Sequence, residues 1–287
     1  MKFKYLMIVF IIIIIFIILI TALLPLLLAG PEFAASIRYV TLPLTIFTVF
    51  LLIVMIVVFL LNYRLLSLLE REDWPALAYY LEHKIYTKGR YSARKVRLLA
   101  GSYMVISDYP SVLKLENKAA HAKPSVIEKS ILLFGAARVL SGNQKEAAAF
   151  FGSYLNKGRV KERQWVRWYY GFSQLLGGVF SMAEVEFESL AASSDDALVT
   201  GLSAYFLATS IVKHSLKQEE CLYAGENGRS RVIKALKTGG GWNKEADKQG
   251  SEIHITIVRK YIDEAGQWIF NTAAAEADGG AIDAETR

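Results

Sequence analysis

Two stretches of the chain carry no charged residue: Tyr5 to Ala29, with a run from Ile8 to Ile20 built almost wholly of Ile, Val, Phe and Leu, and Tyr39 to Tyr63. Crossing a bilayer takes about 20 consecutive apolar residues, and a helix satisfies its own backbone in lipid. Each stretch is long enough. Residues 1–63 are therefore predicted as a hairpin of two transmembrane helices, an anchor outside any soluble core. The connection opens with Gly30-Pro31 and carries only Glu32 and Arg38. Pro25 falls near the end of the first run and Pro43 near the start of the second, where a lost backbone bond costs least. Tyr5, Tyr39 and Tyr63 mark the interfaces. The competing reading of the first run is a cleaved signal peptide, with Lys2 and Lys4 at its basic start and Ala29, Ala34 and Ala35 near a cleavage site. The run exceeds the roughly 7–15 residues of a signal's apolar segment.

Flanking charge sets the orientation. Lys2 and Lys4 precede the first run and Arg64 and Arg71 follow the second, whereas the loop has one arginine. The positive-inside rule then puts both ends in the cytoplasm of a bacterial cell, the anchor in the inner membrane. An inverted hairpin with a periplasmic domain is the alternative.

Past the anchor, composition is that of a soluble domain. The 53% hydrophobic content is concentrated in the first sixty residues, and a net charge of +6 favours anionic neighbours. Cys221 stands alone, which excludes an internal disulfide and a multi-cysteine metal site. Residues Asn62 to Arg71 continue the second span as a helix. Asp73 is placed as the N-cap of the next, with Pro75 in its first turn and a stripe of Leu77, Tyr80, Leu81 and Ile85 before Gly89. A helix from Tyr91 to about Ser107 follows, then the turn Asp108-Tyr109-Pro110 and a partner helix from Ser111 to near Pro124.

One helical hairpin is then written twice. LLFGAARVLSGNQKEAAAFFGSYL starts at Leu132 and WYYGFSQLLGGVFSMAEVEFESLA at Trp168, so Gly135, Ala147 and Phe151 fall 36 residues before Gly171, Ala183 and Phe187. Gly101, in LLAGSYMVIS, lies 34 residues before Gly135, and Ala204, in LSAYFLATSI, lies 33 after Gly171. A small residue lets two helix axes approach to about 8–10 Å, and the aromatic one turn on fills the gap toward the neighbouring pair.

This pattern resembles the tetratricopeptide repeat, a helix-turn-helix unit of about 34 residues. On that resemblance Gly101, Gly135, Gly171 and Ala204 match the small residue of the first helix, Ala147 and Ala183 the alanine of the second, and Phe151 and Phe187 the aromatic one turn later. Pro124 and Asp195 fall near the terminal turn, where proline is usual. The first copy departs, with Leu113 and Asn117 at the alanine and aromatic positions, and later copies run to 36 residues. The resemblance implies a TPR-like α-solenoid over residues 64–217, in which each pair covers the apolar face of the last and a curved surface holds a peptide or helix.

From Gln218 the register lapses. Gly225, Gly228 and Gly239 to Gly241 punctuate a polar stretch, so residues 218–250 are predicted as loop-rich, with a short helix around Val232, Ile233 and Leu236. Residues 251–271 read as a capping or docking helix, Ile255, Val258, Ile262, Ala265 and Ile269 sharing one face; the strand alternation of Ile253, Ile255 and Ile257 is the shorter pattern. Residues 272–287 read as a disordered tail.

Reactive chemistry is sparse. His83, His121, His214 and His254 are scattered, without the HExxH spacing of a zinc site. Gly201-Leu202-Ser203-Ala204-Tyr205 lacks the second glycine and preceding strand of a nucleophile elbow, leaving Ser203 a helix residue. The glycines near Gly225 and Gly239 lack the GK[ST] ending of a phosphate loop. Glu184 and Glu188, with Glu186 between them, read as a solvated face. No catalytic residue, metal ligand or cofactor is assigned. Two basic stretches are candidate contacts with a partner or with lipid: Lys88, Arg90, Arg94, Lys95 and Arg97, which anionic headgroups would attract by about 1 kcal/mol per residue, and Lys157, Arg159, Lys161, Arg163 and Arg167. The second surrounds Trp165 and Trp168, which admits nucleic-acid stacking; the spacing of Trp165, Trp168 and Phe172 turns the rings to the core instead and disfavours that partner.

The expectation is an all-α, membrane-anchored, non-catalytic scaffold whose protein partner the residues do not identify. Its layout is similar to that of HemY-type membrane proteins and of the repeat-bearing collar proteins of spirochaetal flagella. A periplasm-facing assembly factor of an envelope machine, flagellar or secretory, is the alternative, and a membrane enzyme a third.

Overall fold

In a computed structural model the chain is all-α, with no strand among the described residues. These are residues 5, 8–20, 30, 38–87, 89, 91–157, 162–250 and 252–282, with 38 and 271–282 described by backbone alone. Two compact units result, Met1–His83 and Lys84–Arg287. The boundary therefore lies at His83 and not at the expected Tyr63.

The first unit contains α1 (Ile8–Ile20), α2 (Arg38–Glu70) and α3 (Trp74–Glu82). From Tyr39 to Glu70, α2 is long and apolar enough to cross a membrane, its most apolar 18-residue stretch having a mean hydropathy of 3.2. Residues 21–29 of the first apolar run lie outside the described residues, so one helix, where two were expected, meets that length. Helix α2 runs past Tyr63 because its polar end is satisfied locally: the Asn62 amide donates to the Val58 carbonyl at 2.7 Å, and Leu65, Leu66, Leu68 and Leu69 are half-buried.

A tight turn joins α2 to α3. Glu72 adopts a left-handed φ of 54°, and the Asp73 amide reaches back to the Leu68 carbonyl at 3.2 Å, closing a Schellman-type end. The Asp73 carboxylate accepts from the Ala76 amide at 3.1 Å, as the N-cap reading required.

The second unit runs through α4 (Ala93–Val105), α5 (Tyr109–Ala122), α6 (Ser125–Glu128), α7 (Ile131–Leu140), α8 (Gln144–Gly152), α9 (Arg163–Leu176), α10 (Phe180–Ser193), α11 (Ala197–Thr209), α12 (Gln218–Leu236), α13 (Gly239–Gln249) and α14 (Ile253–Ile282). Helices pack in consecutive pairs, α4 on α5, α7 on α8, α9 on α10 and α11 on α12; α5 meets α7, α8 meets α9 and α10 meets α11.

Within three of these pairs the same turn recurs. Ser107, Gly142 and Gly178 take φ of 58°, 83° and 76°, and with Glu72 they stand at intervals of 35, 35 and 36 residues. The residue after each opens the next helix. Asp108 and Asn143 accept the amides of Ser111 and Glu146, both at 3.2 Å, the i+3 bond that Asp73 makes. Val179, after Gly178, has no side chain for it.

The stretch expected to be loop-rich, 218–250, is two helices. Gly225 and Gly228 lie inside α12, where they permit close approach: a Cβ on Gly228 would stand 2.9 Å from the Ala204 Cβ and 3.0 Å from that of Ala191, and one on Gly225 3.2 Å from the Ala208 Cβ. Each helical glycine costs about 1 kcal/mol against alanine, and packing of α12 on α11 offsets it. Gly239 to Gly241 form the first turn of α13, where Thr238 caps the Gly241 amide at 3.2 Å. The backbone of α14 is helical to Ile282, through most of the stretch expected to be disordered; residues 283–287 lie outside the described residues.

Candidate interaction face

Helix α9 organises the core of the second unit. Its sequence RQWVRWYYGFSQLL places Trp165, Trp168, Tyr169 and Phe172 on its buried side. Trp168 stacks on Phe172 at 4.9 Å, and Tyr169 stacks on Phe151 of α8 at 5.3 Å. Phe187 of α10 stacks on Phe206 of α11 at 5.7 Å. Trp165 and Trp168 are 4% and 0% exposed, so neither offers a ring face to a nucleobase.

The small residues of the pattern face their pair partners in three cases. A Cβ on Gly135 would overlap the Phe151 ring, and one on Gly171 would lie 3.0 Å from Phe187 Cε1. Ala147 and Ala183 are fully buried, and Ala204 meets Gly228 across the α11–α12 crossing. Gly101 differs: a Cβ there would stand 2.7 Å from Ile253 Cδ1 on α14. With Asn117 where an aromatic ring would stand, the α4–α5 pair has no ring to receive, and the space is used by a helix from the far end of the chain.

That helix, α14, lies across the first members of the pairs. It meets α7 and α11. Against α9, the His254 ring sits 5.2 Å from Trp165, and Tyr261 sits 5.4 Å from Phe172. Against α11, Tyr261 sits 5.3 Å from Phe206, and Tyr205 donates to the Glu264 carboxylate at 3.1 Å. Ile255, Val258, Ile262, Ala265 and Ile269 are all fully buried, the five residues the periodicity placed on one face. Three side chains hold α14 by its backbone carbonyls: Tyr169 Oη to His254 at 2.7 Å, Trp242 Nε1 to Ile262 at 3.0 Å and Arg229 Nε to Ile269 at 3.1 Å. Gly266 admits the indole; a Cβ there would be 2.6 Å from Trp242 Nε1.

Burial perturbs the ionisable groups of this face. It pushes the Tyr169 hydroxyl well above the usual tyrosine range and the His254 imidazole down to about 4. Burial also raises Cys221 to about 11, with Glu184 and Glu188 adding to it, so the lone thiol is a packed, unreactive side chain. Elsewhere, burial lifts the Glu116 carboxyl against the pull of Arg138, whose guanidinium lies 2.5 Å away. Ser203 is enclosed in α11. Among the described residues no three of His, Cys, Asp and Glu are grouped to hold a metal ion.

Of the candidate contact residues, Lys88, Arg90, Arg159 and Lys161 lie outside the described residues. Arg94, Lys157 and Arg163 are exposed and Lys95 is half-buried. Arg97 donates to the Lys129 carbonyl and to Ser130 Oγ at 3.4 Å, tying α4 to the turn before α7. Arg167 pairs with Glu186 at 2.8 Å, joining α9 to α10. These two cations are committed to structure, and net charge along the chain does not reveal it. The face covered by α14 was missed as a unit, though its two halves, the aromatic stripe and the apolar seam, are both periodic in the sequence.

The chain is similar to an uncharacterized protein of Treponema pallidum (strain Nichols), 26% identical over 236 residues that cover 78% of this chain and 74% of that protein. No solved structure matches. Residues 111–271, more than half of the chain and reaching from α5 through the buried seam of α14, match the family model described as "Uncharacterised Treponema protein", and the chain belongs to that family.

Proposed function

We propose that this protein is a membrane-tethered scaffold: a two-span anchor in the bacterial inner membrane carrying a TPR-like array of helical pairs that holds a partner protein and catalyses nothing itself. The carrying observation is the recurrence of one turn at Glu72, Ser107, Gly142 and Gly178. Its period of 35 to 36 residues repeats a unit that needs neighbours to bury its faces, the build of interaction arrays. The packing of Phe151 under Gly135 and of Phe187 under Gly171 adds to it.

Support for the second span comes from burial. Half-buried residues on α1 fall at Ile11, Ile14 and Ile18, and on the apolar part of α2 at Thr41, Thr45, Thr48, Leu52, Met55, Ile56 and Phe59, one stripe on each helix. Stripes at this spacing are what two paired helices in lipid leave partly covered.

Labelling tests the tether and its direction. Single cysteines at Ser36 and at Asp283, each in a Cys221→Ser background, are treated with an impermeant thiol reagent on intact spheroplasts. Labelling at Ser36 alone is expected for a cytoplasmic array. Labelling at Asp283 alone would move the array to the periplasm and replace this reading with an envelope-assembly factor. Labelling at both would refute the hairpin.

A further inference from the structure

Resting on the membrane tether above, we propose that a basic patch at one end of the α4–α5 pair docks on the anionic phospholipid headgroups of the membrane that holds the chain. Its residues are Arg94, Lys95, Lys118, Lys123 and Lys129. Residues 84–131 carry ten lysines and arginines against three acids, a larger excess than the net charge of +6 on the whole chain. The fold gathers them. Helices α4 and α5 pack as a hairpin about the turn at Ser107, so the start of α4, with Arg94 and Lys95, lies beside the end of α5, with Lys118 and Lys123. Lys118 Nζ sits 3.9 Å over the Tyr86 ring, and Tyr86 lies 6.5 Å from Tyr91, just before α4. Arg97 donates to the Lys129 carbonyl at 3.0 Å, which brings the end of α6 against α4.

The acids of the same stretch are drawn away from the patch. Asp108 caps Ser111 at the opposite end of the pair, and Glu116 is ion-paired with Arg138. Glu128 alone stands beside the cations, exposed. Arg94, Lys118, Lys123 and Lys129 are exposed and Lys95 is half-buried. Among the described residues none of the five pairs with a carboxylate. Each therefore gives up no partner on meeting an anionic surface, where a basic residue contributes about 5-fold to binding. Lipid is the occupant because of where the patch stands in the chain. Glu70 ends α2, whose apolar part is long enough to cross a bilayer, and Ala93 opens α4 with 22 residues between them. A membrane crossed by α2 is the one anionic surface always within reach. Nucleic acid asks for open ring faces among the cations, and Tyr86 and Tyr91 are half-buried, with Lys118 over the first.

The test uses the full chain in nanodiscs, with a neutral donor dye on Ser125→Cys in a Cys221→Ser background and a headgroup-labelled acceptor lipid. The discs are phosphatidylcholine alone or with about 30% phosphatidylglycerol. Energy transfer is expected to be at least about 2-fold higher in the anionic discs at about 0.05 M salt and to fall back at about 0.5 M. The variant Arg94→Glu/Lys123→Glu/Lys129→Glu should lose the rise at low salt. Lys145→Glu/Lys213→Glu/Lys244→Glu makes the same change of net charge at exposed positions elsewhere and should keep it. Entry into both discs with transfer indifferent to lipid charge and salt overturns the patch and leaves the tether standing; a chain that enters neither disc overturns both. Equal loss in the two variants also overturns the patch, because net charge alone would then be read. An oligonucleotide that binds the chain in phosphatidylcholine discs, and that the first variant no longer binds, would assign the patch to nucleic acid and overturn the lipid. Both leaflets of a disc carry the anionic lipid, so the result does not depend on which side of the membrane the helical pairs occupy.

Discussion

Replacing Gly135 by alanine probes how closely α7 and α8 cross. A Cβ at that position would overlap Phe151, with the Cζ, Cε1 and Cε2 atoms all inside contact distance. The ring has little room to yield: Phe151 is fully buried, stacked on Tyr169 at 5.3 Å and edge-on to Phe150 at 5.6 Å. On an open helix the change would stabilise by about 0.5–1 kcal/mol, while overpacking a filled core costs about 1–3 kcal/mol. The expected net is a loss of about 1–2 kcal/mol, a fall in Tm of roughly 2–8 °C for a unit of this size. Urea and thermal unfolding of the full chain in micelles, followed by tryptophan fluorescence, would measure it. Gly240→Ala on α13 is the control, because a Cβ there meets only Thr238 Oγ1 at 3.7 Å; it should be neutral or mildly stabilising. The double variant Gly135→Ala with Phe151→Leu should show a coupling of about 0.5–3 kcal/mol that relieves the clash. A Gly135→Ala chain as stable as wild type, or a cost unchanged by Phe151→Leu, would refute the crossing.

Three further outcomes are expected. Burial holds the His254 pKa at about 4 against 6.5, so the unfolded chain takes up a proton that the folded chain refuses. Stability is full above pH 6.5 and falls as pH drops toward 4, by about 3 kcal/mol; urea midpoints at pH 7 and pH 4 should show it, and His254→Phe should flatten that part of the profile. Arg138→Leu strips the guanidinium from Glu116, whose side chain is 12% exposed, and should cost about 3–5 kcal/mol at neutral pH, less as acid protonates the carboxyl. Gly228→Val drives a branched side chain into Ala204 and Ala191 and should destabilise by about 1–3 kcal/mol, measured by the shift in urea midpoint.

What could be read from the chain was whatever repeats locally. The α14 seam was legible because burial of Ile255 through Ile269 follows a simple period, and the caps Asp73 and the turn at Asp108 because a short acid before a proline leaves few alternatives. Helix α12 was not legible, since Gly225 and Gly228 signal a turn as strongly as they signal a crossing. Only the presence of Ala191, Ala204 and Ala208 opposite them, 17 to 37 residues away in sequence, decides which. Gly101 shows the same gap in another form. A small residue announces that something comes close, and nothing in its neighbourhood says that the visitor is Ile253. The candidate face is long-range throughout, so its halves were visible and their meeting was not.

The turn at Glu72 bears on where the pairing of helices begins. Its left-handed residue, its return bond from Asp73 to Leu68 and its cap on Ala76 recur at Ser107, where the Asp108 amide bonds the Tyr103 carbonyl at 2.9 Å and Asp108 caps Ser111; Gly142 shares the left-handed residue and the cap, at the same interval. Helix α2 therefore does two jobs along its length. Its apolar part has the composition of a span, and its last turns close a hairpin with α3 in the way that α4 does with α5. A chain cut at Tyr63, where hydropathy changes, keeps α3 but leaves only the final turns of the helix that caps it. Nucleating so short a helix is unfavourable without the apolar length that precedes it. The boundary set by hydropathy and the boundary set by packing are different because one helix carries both the apolar stretch and the turns that pack on α3, and the packing boundary, after His83, is the one at which the chain divides.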